Sequence, residues 1–144
     1  MRSDLPPIGL QLAVTAKAVS RAFNEALVEA GGSLPTWLVL HQLTESRWST
    51  QQELARAVGI EGPTLTRHLD GLEEAGLVAR TRHPDDRRAF QVELTERGRA
   101  LHATLLTAVI AFNVTLRRGV DRQEIAQLRA TLARLRANVT DSED

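Results

Sequence analysis

Cysteine is absent from this chain of 144 residues, which removes disulfides, thiolate metal ligands and thiol-based redox sensing together. Aromatic side chains make up only 3%, so a core has to come from leucine, valine and alanine, a palette that suits helices. No apolar run approaches the roughly 20 residues of a membrane span. Residues 1–9 lack the apolar centre of a secretory signal, so a cytoplasmic protein with no membrane partner is expected. Enzyme signatures are missing as well: there is no glycine-rich phosphate loop and no nucleophile elbow. None of the histidines at 41, 68, 83 and 102 sits in an i, i+4 pair that makes a convincing zinc site. Catalysis, a cofactor and a metal centre are therefore not expected.

An excess of charge of either sign is also missing, because 18 basic residues balance 18 acidic ones. A neutral sum does not by itself exclude a polyanion as partner, because local distribution decides. Between Arg80 and Arg99 stand six arginines (80, 82, 87, 88, 97, 99) against four acids (85, 86, 93, 96), and three acids (141, 143, 144) stand in the last four residues.

What is present is a succession of helix signals. Leu12, Ala16, Val19, Phe23 and Leu27 have the spacing of one helix face over residues 8–30, stopped by Gly31-Gly32. Pro35 opens a second helix carrying Trp37, Leu40 and Leu43. After a break at Trp48-Ser49-Thr50, Thr50 and Glu53 have the spacing of a capping box for a short third helix that ends at Gly59. Gly62-Pro63 opens a fourth, with Leu65, Leu69 and Leu72 on one stripe and Gly76 as its stop. Residues 77–82 and 90–94 read as two strands of a hairpin around a polar loop containing Pro84. Thr95 caps a long fifth helix with Leu101, Leu105, Val109, Phe112 and Leu116 on one face, and Gly119 breaks it. Asp121 and Glu124 start a sixth, whose Ile125, Leu128, Leu132, Leu135 and Val139 stand at near-heptad spacing.

A helix, a turn, a second helix and a two-stranded wing is the order that places one helix in the major groove of DNA and an arginine in the minor groove. The expected fold class is mainly α with a small β-hairpin wing. It is one domain over 1–144, a winged helix-turn-helix lobe (35–98) flanked by dimerisation helices (8–32 and 99–140). The outer helices carry more apolar surface than the small lobe can cover, which points to a homodimer; the alternative is that these stripes pack within one chain.

In the fourth helix the leucine stripe defines the buried direction. At 100° per residue, Pro63, Arg67, Asp70 and Glu74 then face away from it, with Thr64 and Thr66 on the flanks. Asp70, Glu73 and Glu74 repel phosphates, so the first two turns are the part that can enter the groove, and the N–H groups of the helix start favour the same end. Arg67 has the reach for bidentate contact with guanine, and Thr64 and Thr66 suit phosphate or thymine methyl contacts. The competing reading pairs Arg67 with Asp70 one turn on. His68 flanks either DNA or the third helix. In the wing, Arg87 and Arg88 suit the narrow minor groove, and Asp86 is placed to hold Arg88 by a charge-assisted hydrogen bond; alternatively the loop is simply solvated.

Leu54-Ala55, Gly59-Ile60-Glu61, Pro63-Thr64-Leu65-Thr66-Arg67, Leu72-Glu73, Gly76-Leu77-Val78, Asp86-Arg87-Arg88 and Leu94-Thr95 together resemble the pattern of the MarR family of winged-helix regulators, its SlyA branch in particular. The resemblance implies a homodimeric repressor on a palindromic or pseudo-palindromic DNA operator. It also implies that Arg67 reads the major groove, Arg88 enters the minor groove, and Ser49, Thr50 and Gln51 face phosphates. It further implies a small-molecule effector, often an aromatic acid; candidate lining residues are Trp37 and His41 from the second helix with Lys17 and Arg21 from the first, the alternative being that Trp37 belongs to the core and Lys17 and Arg21 to a solvated face. The rival class is a winged-helix adaptor whose surface serves protein contacts without specific DNA binding.

Overall fold

The computed structural model describes residues 4–45, 49–82, 85 and 90–140. The wing calls on Asp86, Arg87 and Arg88, and His83 with them, lie outside the described residues. Two compact units divide the chain, residues 1–110 and 111–144.

The first unit holds α1 (Ile8–Glu29), α2 (Leu34–Glu45), β1 (Ser49–Thr50), α3 (Gln51–Val58), α4 (Gly62–Glu74), β2 (Val78–Arg82), β3 (Phe90–Leu94) and most of α5 (Glu96–Leu116). Local chemistry sets the boundaries. Thr50 caps α3 through both arms of the expected box: the Glu53 N–H donates to Thr50 Oγ1 at 3.2 Å, and the Thr50 N–H donates to the Glu53 carboxylate at 3.4 Å. At the end of α4, Gly76 takes φ of +76°, a conformation that costs glycine nothing. The Leu77 N–H returns to the Leu72 carbonyl and the Gly76 N–H to that of Glu73, each at 2.9 Å. This Schellman closure turns the chain directly from α4 into β2, so the wing starts where the recognition-type helix stops.

The sheet has three antiparallel strands in the order β1-β3-β2, with Val78 opposite Leu94, Arg82 opposite Phe90 and Ser49 opposite Val92. The stretch expected to be only a break before α3 therefore contributes an edge strand. Two residues show no alternation, so nothing local announces it. The core gathers Leu27 of α1, Trp37, Val39, Leu40 and Leu43 of α2, Leu54 of α3, the α4 stripe Leu65, Leu69 and Leu72, the sheet residues Val78, Val92 and Leu94, and Leu105 and Val109 of α5.

The second unit contains the end of α5 and α6 (Arg122–Thr140). A reciprocal Asp121–Glu124 box starts α6, with both bonds at 2.8 Å. None of the described residues of α6 is buried, and Leu128, Leu132 and Val139 are exposed. Exposed apolar residues also mark α1 (Ile8, Leu10, Val14) and α5 (Leu106, Ile110, Val114). By length and composition alone α5 is long and apolar enough to cross a membrane, a property that the core helix of a soluble protein can share. Little of it is buried, and Leu105 and Val109 are the α5 side chains that join the core.

Candidate nucleic-acid interface

The first turns of α4 define the surface. Burying Leu65, Leu69 and Leu72 leaves Pro63, Thr64, Thr66, Arg67, Asp70 and Glu74 exposed, as the helical angles require. Pro63 sits in the first turn, where its missing N–H is no loss, and Glu61 precedes the helix without a capping side-chain bond. The Thr66 hydroxyl donates to the Gly62 carbonyl at 3.0 Å and accepts from Gln51 Nε2 at 3.3 Å. Gln51, at the start of α3, and Thr66, in α4, are thereby brought to one place, with Thr50 beside them.

Arg67 makes no ion pair among the described residues. The acid one turn on, which could have held it, is engaged elsewhere. Asp70 receives a hydrogen bond from Arg80 Nη2, and Glu73 receives the Arg80 Nε and Nη2 protons at 3.3 Å and the Arg80 backbone N–H at 3.2 Å. Arg80 projects from β2 and is only 17% exposed, so one guanidinium ties the wing strand to two carboxylates of α4. The hydrogen bond from Arg80 holds the Glu73 carboxyl below its ordinary range. Sequence spacing could not show this clamp, because ten and seven residues separate Arg80 from its partners and the contact depends on how β2 leaves the α4 turn.

His68, expected to flank either DNA or the third helix, is less open than Arg67. It is half-buried, and its Nε2 is enclosed without a hydrogen-bond partner among the described residues. The side chain of Ser49 lies outside the described residues.

The expected effector residues separate into two places. Trp37 is buried at 6% exposure and lies nearly parallel to two imidazoles, His41 at 4.7 Å and His102 at 5.0 Å between ring centroids. His41 Nδ1 and His102 Nε2 are 3.2 Å apart, and the ring centroids are 5.5 Å apart with planes 13° from parallel. Those values set the imidazoles edge to edge in almost one plane, with the indole across both. The arrangement is an N–H···N hydrogen bond between α2 and α5. On the other edge of His41, Nε2 faces the Glu45 carboxylate at 3.9 Å. Because Glu45 and His102 address opposite nitrogens, the three do not converge on one point, and no metal-holding group of three or more such residues occurs among the described residues. Burial first, and then the proximity of His41, push the His102 pKa below its ordinary value, with Glu45 opposing. Lys17 and Arg21 instead line an open hollow on α1 with Ala18, Ala22 and Glu25; among the described residues neither Trp37 nor His41 forms part of its wall. His102 was absent from the expected set; from sequence it is one polar residue beside the α5 stripe, 61 positions from His41.

Three helices and a three-stranded wing sheet arranged in this way form a winged helix-turn-helix lobe. The MarR family model matches residues 33–90. Among solved structures, a MarR-family transcriptional regulator from Rhodococcus sp. RHA1 is 32% identical, with a TM-score of 0.79 over 87% of this chain and 89% of that one. The transcriptional repressor CouR, bound to a 23-mer DNA duplex, is 28% identical, with a TM-score of 0.84 over 92% of this chain and 99% of that one. NadR in complex with 4-hydroxyphenylacetate is 27% identical, with a TM-score of 0.74 over 94% and 96% of the two chains. The chain belongs to the MarR family of transcriptional regulators.

Proposed function

We propose that this protein is a cytoplasmic, homodimeric repressor that binds a palindromic DNA operator and is released by a small aromatic anion. The observation that carries the reading is Arg67, exposed on the leading half of α4 and without an ion pair among the described residues, while the acid that could have paired with it is held by Arg80. Arg67 reads guanine in the major groove; Pro63, Thr64 and Thr66 line its contact; Ser49, Thr50 and Gln51 meet phosphates. Arg87 and Arg88 serve the minor groove, with Asp86 orienting Arg88. The exposed apolar residues of α1, α5 and α6 supply the dimer surface. CouR on its duplex supports the DNA role, and NadR with its aromatic acid supports the effector class.

The test is selection of binding sites from a random duplex pool, with the wild type and with Arg67→Ala. An inverted repeat with half-sites about one helical turn apart is expected. Arg67→Ala weakens binding by about 1–3 kcal/mol and relaxes one base position in each half-site. No enrichment at low salt rejects the reading in favour of the protein-contact adaptor.

A further inference from the structure

We infer that Arg80 is a positioning residue for DNA reading: from the first wing strand it masks Asp70 and Glu73 of α4 and keeps Asp70 away from Arg67. The inference rests on the DNA-binding role proposed above.

A recognition helix that carries three carboxylates in five residues, Asp70, Glu73 and Glu74, presents a poor surface to phosphates. Like charges brought together across an interface oppose binding. The structure disposes of two of the three. Asp70 and Glu73 are 58% and 44% exposed, so burial does not hide them, and their charge is met by the guanidinium. With Arg80 in place, Asp70, Glu73 and the guanidinium sum to one negative charge; without it the two acids sum to two. The fork geometry matters, since Nε and Nη2 serve two acids at once and the backbone N–H of the same residue adds a further bond to Glu73. A second consequence concerns Arg67. Residues three apart on a helix are neighbours, so an Asp70 released by Arg80 is within reach of Arg67 and competes with the base for it.

The experiment measures binding of the full chain to its selected duplex by fluorescence anisotropy at low and high salt, with a melting curve for each variant. Wild type is read first: if it selects no duplex, the DNA role and this inference both fall. Given wild-type binding, Arg80→Met is expected to weaken affinity about tenfold or more, a shift of one unit in log Kd. The loss shrinks as salt is raised, because the freed carboxylates are solvent-exposed. Adding Asp70→Asn and Glu73→Gln to Arg80→Met restores most of the affinity, a recovery that a purely structural role for Arg80 would not produce. Arg80→Met binding like wild type, or a triple variant as weak as Arg80→Met, overturns the inference. Should Arg80→Met fail to fold, Asp70→Asn/Glu73→Gln alone decides: binding at least as tight as wild type supports masking, and weaker binding overturns it.

Discussion

Replacing Gly98 by alanine adds one methyl group to the first turn of α5, a change that ordinarily stabilises a helix by up to about 1 kcal/mol. Here the sign reverses. A Cβ at Gly98 stands 2.0 Å from the Leu77 carbonyl oxygen, 3.0 Å from its carbonyl carbon and 3.2 Å from Leu94 Cδ2. The first two obstacles are backbone, and both sides are pinned. The Leu77 carbonyl accepts the Thr95 N–H at 3.2 Å, and the Leu77 N–H belongs to the closure of α4. On the other side, the Gly98 N–H donates to Thr95 Oγ1 at 3.0 Å, and that hydroxyl donates to the Gly76 carbonyl at 2.6 Å. Forced backbone shifts of this kind cost roughly 1–3 kcal/mol or more. After the helical gain is subtracted, a net loss of about 1 kcal/mol or more is expected. Gly71 is the control: it lies inside α4, and nothing stands within 4 Å of its Cβ position, so Gly71→Ala should gain about 0.5–1 kcal/mol. Urea unfolding at one fixed protein concentration measures both, because the proposed dimerisation would make stability depend on concentration. A Gly98→Ala protein as stable as wild type refutes the reasoning, because it means that the α4–β2 turn and α5 can separate without loss.

Acidification should weaken the folded state through His102. Its pKa is lowered from 6.5, chiefly by burial and next by His41, so the unfolded chain binds the proton more readily than the folded one. Stability is therefore full above about pH 6.5 and falls as pH drops from there through the folded value. His102→Gln should flatten that slope in unfolding measured from pH 7.5 to 5.5, and an undiminished slope would show that another group is responsible. The groups facing the ring are His41 and Glu45 of α2, so His41→Gln is the companion variant. Thr50→Ala removes the acceptor for the Glu53 N–H and should cost about 1 kcal/mol in chemical unfolding, whereas Thr50→Ser keeps it; equal losses for both would mean that the methyl group, not the hydroxyl, matters.

Features set by neighbours in sequence were legible from the sequence. The Thr50–Glu53 box, the Gly76 stop and the Leu65–Leu69–Leu72 stripe all depend on residues within a turn or two of one another, and each stands where its spacing placed it. The two-residue strand β1 was not legible, since its existence depends on β3 arriving beside it from some forty residues away. The same limit hid the Trp37–His41–His102 cluster. Trp37 and His41 are one turn apart and could be paired by eye, but His102 is delivered by the docking of α5 on α2. Grouping Lys17 and Arg21 with Trp37 followed from chemical suitability for an anion, which says nothing about which face of α1 the two cations take.

Charge shows how far composition can mislead when geometry decides. A neutral chain with acids on its recognition helix argues against a polyanion as partner, if each charge is counted where it stands in sequence. In the folded lobe the count changes, because Arg80 is spent on Asp70 and Glu73, and the arginine that shares the helix with those acids is left exposed without an ion pair among the described residues. The acids thus hold the wing strand to α4 at the same contact that keeps Asp70 from competing for Arg67. On this account the zero net charge places little constraint on affinity, and salt dependence should follow the arginines and phosphate-facing residues at the α4 surface rather than the total. A salt slope near zero for specific binding would contradict that account even if the operator were found.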